Sequence, residues 1–174
     1  DLAAMRRMLA LCASSSVQLF VGMASWIGLT RIVSGFGSEA VAGHTIGIRV
    51  IIFALLPSMG MGNAAATLVG QSLGAGLPER AEQAVWRAAF YNLLFLCITG
   101  LIFVVAAEPI VRFFSADPAV IAYGAASLRT IAFGFPCYAY GMVISQSFNG
   151  AGDTRTPTLL NLFCFWLFEL PLGW

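Results

Sequence analysis

Five long stretches with almost no charge constrain the fold of this chain more than any other feature. They cover residues 8–30, 50–73, 88–107, 130–152 and 156–174, and only the last contains a charge, at Glu169. An α-helix needs about 20 apolar residues to cross the hydrocarbon core of a bilayer. The apolar residues occupy all sides of such helices and do not alternate in ten-residue strands, which excludes a transmembrane barrel. The pattern predicts an all-α integral membrane protein with about five transmembrane helices.

Composition supports this fold class. Of the 174 residues, 59% are hydrophobic and 10% are charged, whereas soluble domains carry about 25% charged residues. The net charge is +1, and all nine basic residues are arginines. These values exclude a disordered chain, a soluble globular domain and a nucleic-acid-binding domain with a clustered basic patch. The four cysteines fall inside apolar stretches without a CxxC pair, so we expect them to be buried packing residues.

The connections between these stretches differ in polarity. The sequence predicts a long polar segment from Gly70 to Arg87, with a short interfacial helix starting at Pro78, and a second interfacial segment from Glu108 to Arg129. Five arginines flank one side of the predicted bundle and three flank the other, so the positive-inside rule places the first side in the cytoplasm. The five are Arg6, Arg7, Arg80, Arg87 and Arg155, and the three are Arg31, Arg112 and Arg129.

Signatures of catalysis and of metal binding are missing from the sequence. There is one histidine, and the glycine-rich run from Gly70 to Gly76 cannot be a phosphate-binding loop, because the chain has no lysine to follow it. We interpret this run, with Gly70, Gln71, Gly74 and Gly76, as close helix packing followed by a turn. The sequence therefore predicts no catalytic residues, no bound metal and no enzyme.

A few polar, charged and soft side chains inside the stretches are candidates for lining a cavity. Intramembrane charges are costly and usually face a cavity, an ion path or a partner, although Arg49 could also extend to the interface. The uncharged candidates suit either a substrate cleft or contacts between helices and with lipid. The full set of substrate-cleft candidates is Gln18, Met23, Trp26, Arg49, Tyr138 and Gln146, and Glu169 is the candidate for cation coupling.

Four segments, in this order and at this spacing, resemble the multidrug and toxic compound extrusion (MATE) family. They are Ala40–Ile46, Gly62–Gly76, Phe114–Pro118 and Asn149–Pro157. In the last segment, Gly150, Gly152, Asp153 and Pro157 match the family's loop between the fourth and fifth helices of a lobe. Together the segments cover nearly the whole chain.

The resemblance implies one lobe of a transporter built from two six-helix lobes. Residues 1–174 would form a single partial lobe, similar to the C-terminal one without its last helix, and we expect the chain to be a fragment of a longer protein. Its partners would be the N-terminal lobe, the lipid bilayer and small organic substrates. The implied activity is secondary-active antiport that exports organic, often cationic compounds by alternating access. The proton or sodium gradient would supply energy without a cofactor, in a multi-pass protein of the bacterial inner membrane.

The sequence departs from the family at its cation ligands. Some members carry carboxylates on the first and fourth helices of the C-terminal lobe, but the matching positions here fall near Gly22 and Tyr138. This disfavours a sodium site and favours proton coupling.

Two other functions stay open. A lipid-linked saccharide flippase of related fold would need several cations in its cleft, where only Arg49 is available. A membrane-embedded enzyme would need a catalytic part outside this chain.

Overall fold

The protein is an all-helical bundle in the part of the chain that the structure describes. The computed structural model describes the backbone of residues 2–169, and their side chains except those of residues 2–4, 6–8, 10, 11, 14, 15, 165, 168 and 169. The helices are α1 (Leu2–Ser34), α2 (Ser38–Gly74), α3 (Pro78–Arg112), α4 (Pro118–Gly150) and α5 (Arg155–Leu162). A π-helical segment, Phe163–Glu169, continues α5.

The four long helices, α1 to α4, are longer than the charge-free stretches that predicted them. With 37 residues, α2 is roughly 55 Å long at 1.5 Å per residue, whereas the hydrocarbon core is about 30 Å thick. Three residues join α2 to α3 and five join α3 to α4. The prediction of a separate short helix at Pro78 is therefore wrong, because Pro78 begins α3, and the predicted interfacial segment from Glu108 to Arg129 consists of the end of α3, a turn and the start of α4. A charge-free stretch marks the part of a helix that can lie in lipid. The helix itself can continue into water, because its charged residues also have a high helix propensity.

Four of the helices are long and apolar enough to cross a membrane. The segments are Ser16–Ser34, Ser38–Gly74, Pro78–Arg112 and Pro118–Gly150. The predicted fifth span, residues 156–174, corresponds to α5 and the π-helical segment as far as Glu169, and its last five residues lie outside the described chain. The length and apolar composition of these helices are typical of a multi-pass membrane protein.

The tightest packing joins α2, α3 and α4. Their shared core contains large side chains on α3 and α4, among them Leu96, Phe103, Leu128 and Phe135, all at most 6% exposed. Small residues let the backbones of α2 and α4 approach each other along their length. A Cβ atom at Gly43 would lie 2.7 Å from the carbonyl oxygen of Val120. Because interhelical contacts in lipid depend on such close packing, these glycines fix how α2 and α4 cross.

The first helix belongs to a second, looser group. Within the described residues, α1 packs against α5, the π-helical segment and α2. The indole N–H of Trp166 donates to the carbonyl oxygen of Val21 at 3.4 Å. The four cysteines, by contrast, are all exposed in this chain, so the prediction that they are buried is wrong. An apolar stretch in lipid does not distinguish side chains that face the bundle from those that face outward.

One helix bends where proline interrupts its hydrogen bonding. Pro109 lies inside α3 and cannot donate a backbone hydrogen bond, and the chain leaves helical geometry at Ala106 (φ −104°, ψ 16°). Beside this bend, the Nε of Arg129 donates to the carbonyl oxygen of Val104 at 3.3 Å. A guanidinium from α4 thus binds the backbone of α3 at its kink.

Candidate functional site

The predicted glycine motifs of α2 and α4 meet at the ends of these two helices. A Cβ atom at Gly150 would lie 2.2 Å from the carbonyl oxygen of Ala66, and one at Gly70 would lie 3.1 Å from the carbonyl oxygen of Gly150. Real Cβ contacts are essentially never shorter than 3.0 Å. The backbones of α2 and α4 can therefore touch here only because position 150 has no side chain.

The same two helices end with the same hydrogen-bonding device. The N–H groups of Gly76 and Leu77 donate to the carbonyls of Leu73 and Ser72 at 3.0 and 2.9 Å. At the end of α4, Gly152 and Asp153 donate to Asn149 and Phe148, both at 3.0 Å. This is the Schellman arrangement, in which the residue after the helix adopts a left-handed conformation. Gly76 and Gly152 have φ angles of 73° and 84°, respectively.

The other members of the Gly70–Gly76 motif make fewer contacts. A Cβ atom at Gly74 would meet nothing within 4 Å, so close packing does not account for that glycine. The side chain of Gln71 is exposed, and its carbonyl oxygen accepts a hydrogen bond from Ala75. Only Gly70 and Gly76 of this run therefore have the packing and turn roles predicted for it.

Asp153 caps the start of α5. Its carboxylate accepts hydrogen bonds from the backbone N–H groups of Arg155 and Thr156, both at 3.1 Å, and from the Thr156 hydroxyl. These hydrogen bonds, led by the one from the Thr156 hydroxyl, hold the pKa of Asp153 below its usual value of 3.8. Pro157 is buried in the first turn of α5, where its missing N–H costs no helical bond. The motif residues after Gly152 thus shape the entry to α5.

The candidate cleft residues of α1 differ in exposure. Met23 is 61% exposed and Trp26 is 47% exposed, and their spacing of three residues places them on one face of the helix. Gln18 is half-buried. Met23 and Trp26 thus form an exposed apolar and aromatic surface on α1.

The candidates on α2 and α4 also fall into two groups. Arg49 is exposed on α2, and Tyr138 is 46% exposed on α4. Gln146 packs against α2, since a Cβ atom at Gly62 would lie 3.2 Å from its Cγ. The Oε1 of Gln146 accepts a hydrogen bond from Asn149 at 3.1 Å. Gln146 therefore contributes to the α2–α4 contact, whereas Arg49 and Tyr138 have free surface.

The described chain does not bring all of these candidates together. The backbones of α1 and α4 make no contact within residues 2–169, so Trp26 and Tyr138 do not share a closed pocket there. Glu169 ends the π-helical segment, and its side chain lies outside the described residues. The candidates thus occupy separate helix faces, and a common cavity would need a further element to enclose it.

Sequence reasoning missed the fully buried amide of the core. Asn92 on α3 has no exposed surface, and its amide nitrogen donates to the carbonyl oxygen of Ala139 on α4 at 3.0 Å. Its amide oxygen has no hydrogen-bond partner among the described residues. The sequence signal that could have revealed this residue is its position as a lone amide in the third apolar stretch. A polar side chain in lipid must find a partner on another helix.

Comparisons with known proteins agree with this architecture. Residues 10–174 match the sequence model of the MatE family, and the chain belongs to that family. A probable multidrug resistance protein NorM from Pasteurella multocida is 29% identical over 98% of this chain and 37% of its own length. The multidrug resistance protein PmpM from Pseudomonas aeruginosa is 29% identical over 84% of this chain and 31% of its own length.

A solved structure shares the fold. A MOP superfamily transporter from Pyrococcus furiosus superposes with a TM-score of 0.87 at 17% identity, over 96% of this chain and 37% of that one. Because the identity is low, this likeness concerns the fold alone. The chain thus spans about a third of the length of the proteins that it matches.

Proposed function

We propose that this chain is part of a secondary-active transporter that exports organic, often cationic compounds. Membership of the MatE family over residues 10–174 is the observation that carries the proposal. The names of the relatives, which are multidrug resistance proteins, agree with it. The whole transporter would be about three times as long as this chain, since the chain covers 37% of the NorM relative.

In this proposal the chain supplies one lobe, similar to the C-terminal one, and the N-terminal lobe of the same transporter faces it. Substrates of such repeat-built transporters bind between the halves, which rock around the site. The separate, exposed candidates on α1 and α4 support this arrangement. Met23, Trp26 and Tyr138 expose about half or more of their surface, and a second lobe would close a cleft over them.

The exposed side chains of α1 suit varied organic cations. An indole ring attracts a cation through its π face, and a flexible thioether adapts to different apolar shapes. Trp26 and Met23 provide these two properties on one face of α1. Neither group demands one ligand geometry, so the pair would bind many compounds weakly rather than one compound tightly.

We further propose that export is coupled to protons. Sodium needs hard oxygen ligands, normally including a carboxylate, and the sequence of α1 contains no acidic residue. Glu169, the acidic residue of the fifth apolar stretch, is the one carboxylate that this chain would offer as a sodium ligand. The proton-binding acid is therefore expected in the other lobe.

The test uses the full-length transporter in vesicles with imposed gradients and a fluorescent organic cation as substrate. We expect transport with a proton gradient and little response to a sodium gradient, with Glu169→Gln transporting normally. Transport driven by sodium alone and abolished by Glu169→Gln would overturn proton coupling. Absence of transport of any organic cation under either gradient would overturn the export proposal itself.

The same assay tests the substrate surface. Trp26→Ala should weaken cation binding roughly 2- to 30-fold, since cation–π contacts contribute about 0.5–2 kcal/mol. Trp26→Phe is the matched control, because it keeps an aromatic face and should lose less. Equal transport by both variants and the parent would exclude Trp26 from the cleft.

A further inference from the structure

A groove runs between α2 and α3 at the end of the bundle where α2 ends. Its volume is about 530 Å³. Ser72, Arg80 and Gln83 line the end of it near the α2–α3 turn, and Met61 and Tyr91 line the opposite end. Arg87 lies between the two ends, about 10 Å along α3 from Arg80 and level with the alanines of the groove. The groove is therefore polar near the turn and apolar at its far end, with the second arginine partway along it.

The length of the groove matches one leaflet of a membrane. Met61 and Ser72, the first and last of its residues on α2, are eleven positions apart, or about 16 Å along the helix. Half of a hydrocarbon core is about 15 Å. The excess of arginines on this side of the bundle assigns it to the cytoplasmic leaflet. The apolar end thus lies at the depth of acyl chains, and the polar end lies at the depth of headgroups.

The two arginines of the groove are free to bind an anion. Both are exposed, and within the described residues neither forms an ion pair, whereas Arg112 at the opposite end of α3 is paired with Glu108 at 2.6 Å. Glu79 and Glu82 lie on the same turns as Arg80 but do not line the groove.

The floor of the groove leaves room for a chain. Ala64 and Ala65 on α2 face Ala84 and Ala88 on α3, so small side chains keep the space between the two helices open. Trp86 lies between Gln83 and Arg87 on α3 and is 56% exposed. A tryptophan at this level is typical of the interface between headgroups and hydrocarbon.

We propose that this groove binds an anionic phospholipid of the cytoplasmic leaflet. Arg80 and Arg87 bind the phosphate and the anionic headgroup, and an acyl chain lies over the alanines between α2 and α3. Basic pockets between membrane helices bind such headgroups through the same charge complementarity. The inference does not depend on the substrate or the coupling ion, because the groove is separate from the exposed candidates on α1.

The test is native mass spectrometry of the purified full-length transporter, titrated with phosphatidylglycerol or with phosphatidylcholine of the same acyl chains. We expect tighter binding of the first phosphatidylglycerol than of phosphatidylcholine. The double variant Arg80→Gln/Arg87→Gln should weaken phosphatidylglycerol binding about 30-fold, from the loss of two interfacial arginines. Arg155→Gln is the matched control, since it removes one exposed arginine on the same side but outside the groove, and binding should be unchanged.

A second variant tests the apolar part. Ala64 is exposed, so Ala64→Phe fills the groove without disturbing the core and should also weaken lipid binding. Equal binding of the two lipids, or unchanged phosphatidylglycerol binding in both groove variants, overturns the proposal and assigns the groove to another part of the transporter. An equal loss in Arg155→Gln indicates diffuse surface charge. Equally tight binding of glycerol 1-phosphate indicates a site for a free phosphate.

Discussion

At position 150, a hydrogen atom in place of a side chain decides how two helices meet. A Cβ atom there would lie 2.2 Å from the Ala66 carbonyl oxygen and 2.7 Å from its Cα. Both neighbours are backbone atoms, so no rotation of a side chain could relieve the overlap. The contact thus sets the distance between α2 and α4 at this end of the bundle.

Gly150→Ala is accordingly expected to destabilise the transporter, because α2 and α4 must separate to admit one methyl group. Overpacking of this kind typically costs about 1–3 kcal/mol, which should lower the midpoint of thermal unfolding of the purified protein. Gly141→Ala is the matched control, since it lies on the same helix with nothing within 4 Å of its Cβ position. Equal midpoints for the two variants would show that the helices are not held at this distance.

The sequence predicted the motif around this residue, but not which glycine carries the contact. In the sequence, Gly70, Gly74 and Gly150 all lie in glycine-rich segments and look alike. Of the three, only Gly150 is a position where a Cβ atom would overlap severely with another helix. Which glycine faces another helix depends on the rotation of α2 against α4. That rotation depends on distant pairs such as Gly43 with Val120. Asn92 was missed because one amide in an apolar stretch does not reveal its partner on α4.

At the level of helices, α2 and α4 end in one repeated device. Both stop at a Gly-Ala-Gly sequence, Gly74–Gly76 in one and Gly150–Gly152 in the other. In each, the last glycine has a positive φ and the backbone forms the Schellman hydrogen bonds. The first glycine differs, since Gly150 touches α2 and Gly74 touches nothing. The repeat therefore terminates both helices, and only at the end of α4 does its first glycine also pack against another helix.

We expect Gly76→Ala and Gly152→Ala each to destabilise the protein by roughly 1–2 kcal/mol, the cost of a left-handed backbone for a residue with a Cβ atom. Gly74→Ala should be neutral or stabilising, because alanine favours a helix by about 1 kcal/mol over glycine. Thermal unfolding of the three purified variants would check this. If Gly74→Ala were the most damaging of the three, the assignment of roles within the motif would be wrong.

The existence and order of the helices could be predicted, but their ends could not. Charge-free stretches located all four long helices, because lipid excludes charge over a fixed thickness. The charged residues from Glu79 to Arg87 suggested a polar connection, yet they form the first turns of α3. Pro78 marked the start of that helix correctly. Its length was hidden because a helix leaving the membrane has no hydrophobic pattern to follow.

On the scale of the whole molecule, the described bundle has a dense part and a loose part. The helices α2, α3 and α4 share the buried core, whereas α1 packs mainly beside α5. The sequence could not predict this grouping, because every helix is apolar on all sides. It depends on small residues and on shape, such as Gly100 lying against Phe135 and the Ala132 carbonyl.

The orientation of the bundle is the whole-molecule prediction. In a variant without the native cysteines, Leu77→Cys should react with a membrane-impermeant thiol reagent from the cytoplasmic side, and Ala116→Cys should react from the opposite side. Both positions are exposed turns at opposite ends of α3. Ser72 would be a poor labelling site because it is 5% exposed. Labelling of both cysteines from one side would overturn the arrangement.

The pairing of α1 with α5 has a consequence for the order of assembly. The last residue of α1 precedes the first residue of α5 by 121 positions, from Ser34 to Arg155. A ribosome adds about 5–20 residues per second, so α1 is complete roughly 6–24 s before α5 begins to emerge. During this interval α2, α3 and α4 can already assemble with one another. Until α5 is made, the first helix has only its smaller contact with α2 within the described residues.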